Sequence, residues 1–460
     1  MNSKKAISLA AVAAIAILSS HFTSGVLSEA ERSALVILII AAGLWTTEAV
    51  PLVATSLVIP LLQTLFGIQS FKAALTPFFD PVVMLLLGGF LLAIAVEKND
   101  LDEFFAYQII SKYQADARIM ILIFMVTTAF LSMWISNTAS TALMLTMALR
   151  LTETVKDRRG NFPKIIVLSI AYSATAGGLS TLVGTTTCAM AAGFLHDLID
   201  YEITFLGWMG FGVPIALLMV LTIWVVLLTI FPIDVEEVTG LSIHKKPLTE
   251  RGRLTLGIFV VSILLWVTGQ LPEPIALALG WPGHGLSSSI VAGIIAVILF
   301  VSDIIDERDL GRAHWGTLLL IGGGLSLGGA LEVSGLVVTI SDSLVLLTGG
   351  RPEVVTIALV AVFGLGMSIF ASNTASAGIL LPIAISLGST TNANPIILAV
   401  VIGISTSLDF MLPVGTPPNA IAYSTGKVSM RDMIKAGFTL DIIGAVITVF
   451  LATYLWPYLI

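Results

Sequence analysis

The sequence predicts an all-α polytopic membrane protein with eleven transmembrane helices and two re-entrant hairpins, arranged as two inverted-topology repeats. Three observations predict it. Of 460 residues, 57% are apolar and only 11% charged, against roughly 25% charged in an ordinary soluble domain, too few to cover a water-facing surface. Many apolar stretches approach or reach the ~20 residues that a helix needs to cross a ~30 Å hydrocarbon core. A set of landmarks also recurs in one order, more than 220 positions later, the signature of an internal repeat.

Taken in order, residues 1–32 hold an N-terminal helix, with Lys4 and Lys5 ahead of an apolar run over 6–22. The polar stretch after it contains no Ala-x-Ala pair for signal cleavage, so a retained helix is expected. The first repeat, 33–232, has spans near 33–48, 50–66, 80–97, 163–195 and 206–232. A polar linker, 233–253, is expected in the cytoplasm. The second repeat, 254–460, has spans near 254–270, 286–302, 315–336, 394–424 and 436–458.

Two further apolar segments, 117–151 and 353–383, are each interrupted near the middle by Ser-Asn-Thr. Each is long enough for two half-helices that enter and leave on one side. Irregular backbone at membrane depth is tolerated where it lines a cavity, so both read as re-entrant hairpins. With that topology, nineteen of the 22 Lys and Arg fall on the face of Lys4 and Lys5. The other face receives Arg32, Lys72 and Arg351. The bias puts the N-terminus in the cytoplasm and the C-terminus outside, in what is expected to be a bacterial inner (plasma) membrane.

The repeat is carried by specific residues. Leu44-Trp45 with Pro51 recurs as Leu265-Trp266 with Pro272. Gly88-Gly89, Ala95, Glu97 and Leu101 recur as Gly323-Gly324, Ala330, Glu332 and Leu336. Ser136-Asn137-Thr138-Ala139-Ser140 recurs as Ser372-Asn373-Thr374-Ala375-Ser376, and Val183-Gly184-Thr185 as Val414-Gly415-Thr416. The flanks of the first hairpin are rich in Lys and Arg, whereas those of the second hold only Arg351. Homologous loops therefore lie on opposite sides, as five crossings per repeat require.

Composition also excludes chemistry. Cys188 is the sole cysteine, so no intramolecular disulfide forms, and the five histidines lack metal-ligand spacing. Gly322-Gly323-Gly324 has no following Lys and reads as close helix packing rather than a phosphate loop. No nucleophile and base accompany the Ser-Asn-Thr motifs, so an enzyme is not expected.

Each Ser-Asn-Thr motif stands before a new apolar helix. One such motif would most simply be a helix cap, but the same five residues in two diverged repeats indicate one specific task. Free N–H groups, the positive end of a helix dipole and hydroxyl and amide donors make an anion site at mid-membrane. Carbonyl oxygens of the broken backbone can hold a cation beside it. A second pair of breaks, at Gly184-Thr185-Thr186-Thr187 and at Gly415-Thr416-Pro417-Pro418-Asn419, interrupts segments too long for one straight crossing. Every Lys and Arg falls in a loop or at a membrane end, which leaves neutral donors, dipoles and bound cations to balance an anion. Glu48, Glu97, Glu332, Asp409 and Asp441 lie near or within apolar segments. Intramembrane carboxylates are functional candidates, Asp409 first among them, while Glu97 and Glu332 stand at span ends where a structural role is expected.

At these residues, with Thr47-Glu48-Ala49-Val50-Pro51 and Leu412-Pro413-Val414-Gly415-Thr416-Pro417-Pro418-Asn419-Ala420, the chain resembles the divalent anion:sodium symporter family of INDY-type dicarboxylate carriers over nearly its whole length. The resemblance implies a homodimer with a scaffold domain and a transport domain that moves like an elevator. It implies sodium-coupled symport of succinate-like C4 dicarboxylates, with Ser136, Asn137, Thr138, Ser372, Asn373 and Thr374 at the carboxylates and Thr185, Thr416 and Pro417 nearby. It assigns a first sodium site to Ser132, Ser136, Asn137 and Gly184, and a second to Ser368, Ala371, Asn373 and Gly415. The expected partners are sodium, a small dicarboxylate, the lipid bilayer and a second copy, with no nucleic acid. The first repeat departs from the pattern, with Thr186-Thr187-Cys188 where the second has Pro417-Pro418-Asn419. Sodium-independent dicarboxylate exchange and an anion channel are the alternatives.

Overall fold

The computed structural model describes residues 3–110, 116–155, 157–235, 247–348, 351–391 and 393–460. Lys112, Lys156, Lys245 and Lys246 of the basic set, and 236–246 of the linker, lie outside the described residues. Among those described, the chain is helical and has no strand.

An N-terminal helix, α1 (Ser3–Phe22), lies against α2 (Glu29–Thr47). Then come α3 (Leu52–Leu65), short α4 (Phe71–Leu75), α5 (Pro81–Lys98) and α6 (Leu101–Ile110). The first hairpin is α7 (Ala117–Ser132) and α8 (Asn137–Thr154), followed by a broken helix, α9 (Phe162–Gly178) and α10 (Thr186–Ile199), and by α11 (Phe205–Ile230). The series repeats as α12 (Glu250–Val267), an extra short α13 (Glu273–Leu279), α14 (Ser288–Val301), α15 (Trp315–Val333) and α16 (Leu336–Thr348). The second hairpin, α17 (Glu353–Phe370) and α18 (Asn373–Thr390), leads to the broken pair α19 (Pro395–Ser405) and α20 (Pro417–Ser424), and α21 (Met430–Tyr454) closes the chain.

Apolar side chains point outward, as they must when lipid is the solvent. On α21, Ile434, Phe438, Ile442, Val446 and Phe450 form an exposed i, i+4 stripe, while Met433, Gly437, Leu440, Gly444 and Thr448 are buried on the other face. Among the described residues, seven helical segments are long and apolar enough to cross a membrane, α17 among them by length and composition, and five shorter apolar helices accompany them.

The two halves share contacts as well as order. Trp45 Nε1 donates to Leu52 O at the start of α3, and Trp266 Nε1 donates to Ser288 O at the start of α14. Asp100 and Gly335 both take left-handed φ, +53° and +81°, where the chain turns into α6 and α16. Partners are exchanged between halves: α5 packs on α14 and α15 on α3, α10 on α19 and α20 on α9. Gly322, Gly323 and Gly324 make one such approach possible, since an added Cβ would lie 2.7 Å from Phe78 Cα, 2.5 Å from Ser56 Cβ and 2.7 Å from Met190 Cε. The glycine run is a packing surface.

Ion pairs join segments that the charge bias assigns to one face. Lys98 meets Asp309 at 2.5 Å, Arg312 meets Glu97 at 3.1 Å, and Lys164 meets Asp432 at 2.9 Å. Glu97, a candidate carboxylate in the sequence, is thus held by a structural pair.

The sequence reading differs from the structure at the flanks of the hairpins. Both hairpins run farther than expected, to Thr154 and Thr390, and α6 and α16 stand where loops were expected. Ten and thirteen residues are too short to register as spans.

Candidate functional site

The tip of the first hairpin is built locally. Ser136 holds extended backbone, φ −62° and ψ 143°, and its Oγ accepts the N–H of Ala139 at 3.2 Å, so α8 starts at Asn137. Ser372 occupies the same place before α18, where its side chain makes no cap hydrogen bond and stays available. The breaks at 179–185 and 406–416 follow from the close approach of the chain to itself. A Cβ on Gly184 would collide with Gly178 O, and one on Gly415 with the carboxylate of Asp409. Pro417 and Pro418 supply no N–H and stand at the first turn of α20, where none is needed.

These four features meet. One cavity of about 780 Å³ is lined by Ser136, Asn137, Thr138, Gly184 and Thr185 from the first repeat. From the second come Ser368, Ala371, Ser372, Asn373, Thr374, Gly415, Thr416 and Pro417. Ser132 is buried behind it against Asn137. The N-terminal ends of α8, α10, α18 and α20 all reach the lining. All four bring the positive end of a dipole, and α8, α10 and α18 bring free N–H groups as well, which Pro417 and Pro418 withhold from α20. Among the described residues, no Lys or Arg lines the cavity.

Hydroxyl contacts stitch the halves together across it. Thr186 Oγ1 lies 2.7 Å from Thr374 Oγ1, joining the first broken helix to the second hairpin. Thr187 Oγ1 donates to Gly403 O at 2.7 Å and lies 2.6 Å from Ser407 Oγ. Thr416 Oγ1 accepts the N–H of Asn419 at 3.3 Å, capping α20.

Oxygen atoms also converge behind each tip. Ser132 Oγ donates to Ala174 O at 2.7 Å. The terminal amide atom of Asn137 facing this point is 2.6 Å from Ser132 Oγ, 3.3 Å from Gly184 O and 3.3 Å from Ala174 O. With the amide nitrogen there, Asn137 bridges the three acceptors. With the amide oxygen there, four oxygens face one another, an arrangement suited to a hard cation. The second repeat has the same construction: Ser368 Oγ donates to Thr406 O at 2.6 Å and lies 2.8 Å from Asn373 Oδ1.

Residues 2–460 match the family described as the sodium:sulfate symporter transmembrane region. The chain belongs to this family. It is therefore a membrane transporter and not an enzyme, in a family whose coupling ion is sodium. An uncharacterized transporter of Haemophilus influenzae is 36% identical over 432 residues, covering 92% of each chain. The sodium-dependent dicarboxylate transporter SdcS of Staphylococcus aureus is 33% identical over 443 residues, 90% of this chain and 84% of that one. The crystal structure of the Alcanivorax borkumensis YdaH transporter shares the fold, with a TM-score of 0.60 at 16% identity over 86% of this chain and 89% of that one.

Several lining residues escape the sequence reading. Trp45 and Thr46 reach the cavity from α2, Phe90 from α5, and His314 and Thr317 from the start of α15. His314 packs edge-on to Phe90 with ring centroids 5.2 Å apart. Only Trp45 left a signal, as one of the repeated landmarks. Glu48, noted in sequence as a carboxylate near an apolar segment, lines the cavity as the left-handed C-cap of α2.

Proposed function

We propose that this chain is a sodium-coupled symporter of C4 dicarboxylates of the succinate type. The observation that carries the proposal is the pair of Ser-Asn-Thr tips facing one cavity with no Lys or Arg among the described residues of its lining. Two carboxylates of a short diacid match two tips, each offering a hydroxyl, an amide and a helix N-terminus. Without a Lys or Arg, their charge is offset by cations, and sodium would sit at the oxygens that cluster around Ser132, Asn137 and Gly184 and around Ser368 and Asn373, with Ser136 added to the first set and Ala371 and Gly415 to the second by the family resemblance. The likeness to the sodium-dependent dicarboxylate transporter of Staphylococcus aureus supports the same substrate class.

In this reading Ser136, Asn137, Thr138, Ser372, Asn373 and Thr374 hold the carboxylates, with Thr185, Thr416 and Pro417 beside them. Sodium binds first and draws each Asn amide oxygen toward it, which turns the amide N–H₂ toward the substrate. The hairpins, broken helices and their cargo then move as one body against α2, α3, α5 and α15, an elevator motion. The family resemblance supports a homodimer, eleven crossings and a cytoplasmic N-terminus.

The test is uptake of labelled succinate into proteoliposomes with and without an inward sodium gradient, with fumarate, malate, citrate and sulfate as competitors. Concentrative, saturable uptake driven by the gradient is the expected result. Uptake that ignores sodium and requires internal dicarboxylate would make the protein an exchanger. Unitary currents would make it a channel.

A further inference from the structure

The second broken helix holds a feature that the first lacks. Asp409 lies within the 406–416 break with no exposed surface, and neither carboxylate oxygen has a hydrogen-bond partner among the described residues. Asp441, from the middle of α21, is also buried. Its Oδ1 accepts the N–H of Phe410 at 2.9 Å, and its Oδ2 has no partner among the described residues. The two carboxylates interact electrostatically, and none of the described ion pairs reaches either of them. Lys164, in the first turn of α9, is engaged by Asp432.

Asp409 and Asp441 reach the same turn, and two buried carboxylates without an ion-pair partner are costly to keep there. Membrane proteins keep such groups where a cation passes. Independent buried polar groups lie around the same turn. Tyr172 of α9 is fully buried with its hydroxyl unpartnered, and it sits within electrostatic range of both Asp441 and Asp409. Its ring packs edge-on against Phe410, at 5.2 Å between centroids. Asn419 of α20 uses its amide nitrogen to hold Asp409 O and Leu412 O, both at 3.0 Å, and leaves its buried Oδ1 without a partner.

We infer that Asp409 and Asp441, with the Tyr172 hydroxyl, form a further site for a monovalent cation, distinct from the two Ser-Asn clusters. Sodium, a hard cation already used by this family, is the ligand whose chemistry fits an all-oxygen donor set. Its position gives it leverage. Asp409 touches Gly415, and Asn419 fastens the same turn to the first turn of α20, so a cation here fixes the backbone that presents Gly415 and Thr416 to the cavity. Gly437 of α21 packs directly on the Phe410 and Met411 backbone, which lets the carboxylate of Asp441, one turn on, reach the break.

This inference rests on the sodium-coupled reading, and the experiment separates the two. Purified full-length protein is titrated with radioactive sodium to count ions bound per protomer, and uptake of succinate is measured against sodium concentration. The wild type is expected to bind one more sodium than Asp409→Asn/Asp441→Asn, and its uptake to rise more steeply with sodium. Asp441→Asn alone keeps the acceptor for the Phe410 N–H and so preserves the turn. It and Tyr172→Phe are each expected to raise the sodium concentration for half-maximal uptake several-fold while remaining monodisperse. An equal sodium count in wild type and in the monodisperse Asp441→Asn and double variants, with gradient-driven uptake intact, overturns the site and leaves the symport reading standing. Wild type that binds no sodium overturns both. An unchanged sodium count with altered pH dependence of uptake assigns the pair to a proton and also overturns the site.

Discussion

In the first repeat the chain leaves α9 at Gly178, against which the Asn137 amide packs so closely that a Cβ would strike it. In the second repeat the position related by the Val183 to Val414 spacing is Asp409, whose carboxylate packs against Gly415. The first tip is capped by Ser136, whereas Ser372 at the second tip forms no cap hydrogen bond. Duplication preserved the groups that face the cavity and let the layer behind them diverge. The first half fills that layer with a neutral amide against glycine. The second fills it with buried carboxyl groups. Two sites that look alike from the substrate side therefore differ in what must be bound behind them to hold their shape.

Removing the amides tests the side on which the halves agree. Asn137→Ala and Asn373→Ala are each expected to lower sodium-dependent uptake by ~100-fold, the equivalent of ~3 kcal/mol of charge-assisted hydrogen bonding. A large loss in one variant only would break the equivalence of the two tips.

A methyl group behind each tip tests the side on which they differ. Gly178→Ala pushes on the Asn137 amide and Gly415→Ala on the Asp409 carboxylate. Overpacking costs ~1–3 kcal/mol, so each should shift half-maximal sodium by ~5- to 100-fold. Gly178→Ala is expected to leave the number of sodium ions bound through Asp409 and Asp441 unchanged, which equilibrium binding would measure.

The caps give a smaller effect. Ser136→Ala loses a cap hydrogen bond worth ~1 kcal/mol and should lower the melting temperature of the purified protein by a few degrees. Ser372→Ala has no such bond to lose and should melt with the wild type while weakening substrate binding. Equal melting would erase the distinction between the tips.

The smallest effect lies outside the membrane. Burial alone would raise the Asp309 carboxyl, but Lys98, the Asp306 N–H and Arg312 outweigh it and hold the group below the usual carboxylate range. A folded value below the unfolded one means that this group stabilises the fold above the ordinary carboxylate pKa. That contribution is lost as pH falls through the depressed value. Asp309→Asn should therefore cost within ~1 kcal/mol near neutral pH and flatten the acid limb of a melting-temperature profile.

The hairpins and both breaks were legible in the sequence because their causes are local. Ser before an apolar run caps a helix, glycine permits a close turn, and proline withholds a donor, whatever surrounds them. The helices α6 and α16 were not legible. Charged residues such as Asp102 and Glu103 dilute the apolar signal of α6, and neither helix has the length of a span. Glu97 and Asp409 both stood out as carboxylates near or within apolar segments, Asp409 as the first functional candidate and Glu97 at a span end where a structural role is expected. Their surroundings separate them, since Glu97 meets Arg312 across 215 residues and Asp409 meets no base.

By itself the sequence determined that the protein lives in lipid, that it is built twice, and that each half carries a polar interruption before a new helix. Those properties follow from composition and from backbone preferences acting within a few residues. Only the tertiary structure decided that α8, α10, α18 and α20 start at one cavity, that His314 and Glu48 line it, and that Asp441 comes to the turn after Asp409. Those meetings depend on helices from different halves packing at glycine-sized approaches. A buried carboxylate is costly or useful according to what stands beside it, and that is set by packing across the whole chain.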